Sequence, residues 1–161
     1  MTNQLKPLVY IETSVVSYLT ARPNQNVVAA GKQALTAQWW DSRRGAFVLV
    51  TSQFVIDEAQ SGDADAAARR LQALADIPLV EGSAASMKLA ADLAHRMGLT
   101  ARANPDAVHI ALAASNGIQY LLTWNCTHIA NASLRPIIEQ TCRAEGFEPP
   151  VICTPEELLN E

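Results

Sequence analysis

Leu8-Val9-Tyr10-Ile11-Glu12-Thr13-Ser14-Val15-Val16 decides how this chain is read. Four apolar residues run without alternation and stop at an acid and two hydroxyls. An unbroken apolar run of this length reads as a strand buried on both faces. The hydroxyls that follow read as a helix start, with Thr13 or Ser14 as N-cap. Val15, Val16, Tyr18 and Leu19 then give that helix more apolar surface than one core is expected to bury, so a partner's helix or a second subunit is expected to cover some of it.

The same strand-then-helix unit recurs outward from this stretch. A polar, mobile loop is expected over 21–26, and a helix over 27–44 with Val28, Leu35 and Trp39 on one face and Gly45 as its stop. Residues 46–50 read as a strand, with Thr51 and Ser52 capping a helix over 53–60. Ser61-Gly62-Asp63 breaks it, and a helix follows over 65–75. Residues 77–80 read as a strand that Pro78 confines to a sheet edge. Helices are predicted over 83–97, closed by Gly98, and from Asn104-Pro105 to Asn116-Gly117. A strand over 119–124, a helix over 133–145, a strand over 151–153 and a turn capped by Thr154 complete the chain. This alternation predicts a three-layer α/β fold with a mostly parallel central sheet. In such folds the reactive crevice lies beyond the carboxyl ends of the strands.

Composition sets the limits. The 161 residues, 17.4 kDa, fit one domain over 1–161, with a core at about 8–132 and a last helix and strand over 133–161. A hydrophobic content of 49% excludes a disordered chain. Twelve Lys and Arg against 16 Asp and Glu give a net charge of −4, which excludes a strongly basic nucleic-acid coat but not a local basic patch. Cys126, Cys142 and Cys153 are no disulfide framework, residues 1–7 are polar, and no apolar run nears the roughly 20 residues a bilayer crossing needs. A cytoplasmic protein with no membrane association is expected.

Four polar residues fall where the crevice should be. Glu12 follows the first strand, Glu58 lies on the helix after the second, Asp106 is in the first turn of its helix, and Asn125 follows the 119–124 strand. Acids gathered at one sheet edge repel one another, and a hard divalent cation relieves that conflict. Mg²⁺ or Mn²⁺ takes oxygen ligands and needs only one or two direct carboxylates. The plainer readings are that Asp106 complements a helix dipole, that Glu12 merely precedes an N-cap, and that Glu58 belongs to a solvated face. Other enzymes on doubly wound sheets lack support. Glu12-Thr13-Ser14 stands where a dinucleotide enzyme needs its glycine-rich turn, no Walker loop is present, and Lys6, Lys32 and Lys88 do not suit a receiver domain.

Val9-Tyr10-Ile11-Glu12-Thr13-Ser14 resembles the opening strand of PIN domains. Pro105-Asp106-Ala107-Val108-His109-Ile110-Ala111 is similar to their Asp-Ala-x-His-Ile-Ala helix, and residues 121–129 and 52–62 resemble the segments around it, in order, over about 8–132. The resemblance implies a Mg²⁺- or Mn²⁺-dependent ribonuclease, of the VapC toxin type, paired with an antitoxin protein and commonly a homodimer. It implies Glu12, Glu58 and Asp106 as metal-binding catalytic acids and Asn125 as a fourth, outer catalytic residue. One Mg²⁺ between Glu12, Asp106 and, directly or through water, Glu58 would then serve hydrolysis of an RNA phosphodiester, with Asn125 and Thr123 orienting water. Two departures stand out: Glu12 replaces the usual Asp, and Asn125 stands where many members carry Asp. They support an alternative, a PIN-like module that binds RNA or a partner protein without cutting.

The remaining candidates are secondary. His109 is expected to pack or hydrogen-bond beside the acids, and His128 to make a local loop contact. Cys126 and His128 lack the paired spacing of a zinc site. Trp39-Trp40 reads as helix packing before a base-stacking platform. Arg22 and Arg102, in loops predicted near strand ends, are the first candidates for phosphate contact.

Overall fold

The computed structural model describes residues 5–160; Met1–Gln4, the front of the polar lead, and Glu161 lie outside them. Strand β1 (Leu8–Ile11) is the centre of the sheet. It pairs in parallel with β2 (Val48–Ser52) on one side and β4 (Tyr120–Leu122) on the other, with Tyr10 level with Val50 and Leu121. Strand β3 (Leu79–Val80) lies outside β2 and β5 (Val151–Cys153) outside β4. The order is β3-β2-β1-β4-β5, and every pairing is parallel. Val9, Tyr10 and Ile11 are fully buried, as a strand covered on both faces requires.

Among the described residues seven α-helices fill the crossovers. Helix α1 (Thr13–Thr20) packs on α2 (Val27–Ser42), α3 (Gln53–Ala59) and α4 (Ala64–Leu74). Helix α5 (Ala84–Arg96) packs on α6 (Asn104–Ser115) and α7 (Arg135–Ala144). Helix α6 is buried from His109 through Ala114. Its alanines let it sit close to its neighbours on nearly all sides. One apolar cluster runs from Val9 to Leu158, so the segment over 133–158 shares the core of the rest. Among the described residues no helix is long and apolar enough to cross a membrane.

Several sequence expectations shift. Val15 and Val16 are fully buried in the core, and only Tyr18 and Leu19 are partly open, so α1 has less spare apolar surface than its sequence implies. Glu12, rather than Thr13 or Ser14, is the N-cap of α1: its carboxylate accepts the Ser14 backbone N–H at 2.9 Å. Helix α2 stops at Ser42, and a 3-10 turn over Arg44–Ala46 carries the chain into β2, which starts two residues later than expected. Gly98 and Gly117 do close α5 and α6 in left-handed conformations, φ 68° and 66°. The 21–26 loop is tied to α2. The Gln33 side chain donates to the Arg22 carbonyl at 2.9 Å and accepts from the Asn24 N–H at 3.0 Å, and Asn26 caps the helix.

Both sheet edges are blunted. Strand β3 has two residues and follows Pro78, while β5 is bracketed by Pro149, Pro150 and Pro155. The Arg135 guanidinium donates to the outward Ile152 carbonyl of β5 at 3.4 Å. Short, proline-flanked edges resist pairing with another chain. Cys126 is exposed, and Cys142 and Cys153 are buried. Burial pushes the Cys142 thiol up to about 11.

Candidate active site

The carboxyl ends of β1, β2 and β4 meet where the sheet order turns from one side of β1 to the other, the position at which open parallel sheets bind ligands. Glu12 leaves the end of β1, and its backbone N–H donates to the Leu122 carbonyl of β4 at 3.2 Å. It is the sole buried carboxylate among the described residues, 4% exposed. Its Oε2 accepts from the Ser14 N–H and hydroxyl and from the Thr123 hydroxyl at 2.9 Å. Burial pushes this carboxyl up, and the charge of His109 with the bonds from Ser14 and Thr123 offset only part of that.

Glu58, on α3, turns toward the start of α1 and the middle of α6. Its Oε1 accepts from the Thr13 hydroxyl and from His109 Nε2, both at 2.6 Å. Burial pushes the Glu58 carboxyl up, but the hydrogen bond and charge of His109 and the bond from Thr13 outweigh it, and the net direction is down. An ionised Glu58 only accepts, so His109 Nε2 is the donor. The His109 ring is fully buried, and its Nδ1 meets the Tyr10 hydroxyl at 2.7 Å. Burial pushes the imidazole down. The hydrogen bond and charge of Glu58, followed by the charges of Glu12 and Asp106, more than offset this, so its pKa is raised.

Asp106 is in the first turn of α6, where Pro105 leaves no N–H to satisfy. Its Oδ2 meets His128 Nδ1 at 2.8 Å. Asn125 shapes the loop after β4: its Oδ1 accepts the His128 N–H at 3.1 Å, and its own N–H donates to Thr123 Oγ1 at 2.9 Å.

The charges of all three acids reach His109, although Glu58 alone hydrogen-bonds it, and each acid is engaged through one oxygen. Glu12 Oε1, Glu58 Oε2 and Asp106 Oδ1 accept no hydrogen bond from any described residue. Among the described residues no three His, Cys, Asp or Glu side chains form a ready-made metal cluster. Glu58 faces His109 and Asp106 faces His128, while Glu12 is held by Ser14 and Thr123. The donor set remains all oxygen, which suits a hard dication that keeps most of its own waters.

The family model for the PIN domain matches residues 9–125, close to three quarters of the chain. The chain belongs to the PIN domain family. The matched span holds Glu12, Glu58, Asp106 and Asn125. The structure of this PIN domain is also similar to a chain in the crystal structure of VapBC2 from Rickettsia felis bound to a DNA fragment from their promoter. The likeness has a TM-score of 0.59 at 13% identity and covers 91% of this chain and 98% of that one. No curated protein matches the chain.

Sequence reading missed three parts of this PIN domain's site. Tyr10 stands behind His109 and Ser52 behind Tyr10, and neither carries a local signal because their contacts join segments far apart in sequence. Lys32 of α2 lies over the rings of Tyr18 and Trp124, 5.6 and 5.4 Å from their centroids, and clamps α1 and α2 to the segment that leads into Asn125. Of the two arginines put forward, Arg102 lies in a 3-10 turn over Ala101–Ala103, four residues before Asp106. Arg22 lies beyond the far end of α1, about 12 Å along the helix from Glu12 at 1.5 Å per residue. Trp39 is fully buried against Phe47, so it is core and no base platform.

Proposed function

We propose that this PIN domain is a Mg²⁺- or Mn²⁺-dependent endoribonuclease that hydrolyses RNA phosphodiester bonds and acts as the toxin of a toxin–antitoxin pair. The observation that carries this reading is the set of carboxylates from three segments of chain, each anchored through one oxygen and open at the other, with charges that reach His109. Glu12 and Asp106 would hold the cation, with Glu58 directly or through water. Bound there, the cation supplies an acidified water and offsets charge on the phosphate oxygens. The chain's own groups do the rest. Ser14 and Thr123 fix Glu12 Oε2 and so aim Oε1, His128 holds Asp106 Oδ2, and Asn125 shapes the loop that presents His128. The structural likeness to a VapBC2 chain supports an antitoxin protein as partner, and a homodimeric, cytoplasmic, single-domain protein fits the same reading.

Purified protein is expected to cleave single-stranded RNA in Mg²⁺ or Mn²⁺ and to stop on chelation, read by gel. Cleavage that persists in chelator defeats the proposal. The second reading, a PIN module that binds RNA or a partner without cutting, is favoured by the lack of a ready-made three-ligand cluster among the described residues. RNA binding with metal uptake and no cleavage would select it.

Substrate contact gives a further expectation. Arg102→Ala should weaken RNA binding and flatten the dependence of log K on log salt by about 0.7–1, one phosphate contact. Arg22→Ala, further from the acids, should change it less. Anisotropy titrations at several salt concentrations check both, and an unchanged slope for Arg102→Ala removes that residue from the interface.

A further inference from the structure

We propose that Tyr10 and His109, with Ser52, form a buried positioning chain that sets Glu58, and that the affinity of the acidic site for a divalent cation depends on it. This rests on the reading of Glu58 as a metal-binding carboxylate.

The chain runs through four elements. Ser52 Oγ ends β2, Tyr10 lies in β1, His109 in α6 and Glu58 on α3, with successive contacts of 2.6, 2.7 and 2.6 Å. Ser52 is 1% exposed and Tyr10 and His109 are fully buried. Packing alone does not explain this arrangement. Phe and Leu would fill the same space with no polar atom to satisfy, whereas every buried hydroxyl or ring nitrogen without a partner is costly. Polar groups held in such a place need a complete set of partners, and one order of donors supplies it. The Val55 N–H donates to Ser52 Oγ at 3.3 Å, the Ser52 hydroxyl to Tyr10, the Tyr10 hydroxyl to His109 Nδ1, and His109 Nε2 to Glu58. Each donor finds an acceptor, and the chain has one outlet, the half-buried carboxylate at the site.

Glu58 needs such an anchor. It projects from the seven-residue α3 on a long, rotatable side chain. His109 and Thr13 grip the same oxygen from two sides and leave Oε2 free. Outer partners that hold a ligand in place govern metal affinity as well as geometry.

The test measures Mn²⁺ binding to the full chain by calorimetry and by the Mn²⁺ electron paramagnetic resonance signal, without substrate. Tyr10→Phe should raise the Mn²⁺ Kd about 10-fold or more. His109→Gln, whose amide can still donate to Glu58, should bind Mn²⁺ more tightly than His109→Leu. A folded Tyr10→Phe protein that binds Mn²⁺ within about twofold of wild type, with only its melting temperature lowered, overturns the inference and makes the chain purely structural. Should Tyr10→Phe not fold, Ser52→Ala takes its place and must weaken Mn²⁺ binding at least about threefold; a smaller change also overturns it. Wild-type protein that takes up no Mn²⁺ defeats the reading of the acidic site, and this inference falls with it. Tight wild-type binding with no effect of Tyr10→Phe defeats the inference alone.

Discussion

Asp106→Ala should lose at least about 10²–10³-fold in RNA cleavage, close to 3–4 kcal/mol of transition-state stabilisation, while the protein stays folded. The carboxylate sits in the first turn of α6 and its one hydrogen-bond partner among the described residues is His128, so its removal costs the fold little more than that bond and a helix-dipole contact of roughly 0.3–1 kcal/mol. Activity and stability therefore separate in this variant, which makes it the sharpest test of the acidic site. In bacteria, expression of the wild-type chain should arrest growth and expression of Asp106→Ala should not. Single-turnover cleavage beside a thermal melt checks the biochemical half. Wild-type rates in the variant would move the chemistry away from α6 altogether.

Trp39→Ala should have the largest effect on stability. The indole is fully buried between Phe47 and Trp40, with ring centroids 5.8 and 6.5 Å away. Replacing a buried Trp by Ala costs about 3–5 kcal/mol, which lowers the melting temperature of a domain this size by on the order of 10 °C. Trp39→Phe should cost much less. It keeps most of the ring and discards an indole N–H that is buried without a partner among the described residues. Denaturant melts of the two variants check the contrast. Lost RNA binding with unchanged stability in Trp39→Ala would bring back the base-stacking role that the buried position argues against.

The strands were legible where apolar runs are unbroken. Val9 to Ile11 read directly because a strand covered on both faces needs no alternation, and Val151 to Cys153 because prolines bracket their apolar run. The start of β2 slipped because Ala46 and Phe47 are as apolar as the strand itself, while the 3-10 turn that holds Ala46 leaves no mark in hydrophobicity. Glu12 was legible as a site candidate but not as a cap, since Glu is a poor N-cap by type and earns the position here through its reach to Ser14. The acids could be gathered on paper from strand ends and a family likeness. Their engagement with His109 and His128 could not, because Glu58 and His109 are 51 positions apart and their contact is set by how α3 and α6 cross the sheet edge.

Strand β1 leaves the ribosome before its partner β4, which follows more than a hundred residues later. Until that point Glu12 has neither the Leu122 carbonyl for its N–H nor the Thr123 hydroxyl for its carboxylate. Contacts so distant in sequence form late and slowly. A nascent chain thus carries the acids in separate, unjoined pieces until β4 and the residues after it have emerged. If the acids cut RNA as proposed, the growing chain would in this way stay harmless to the message and machinery still translating it.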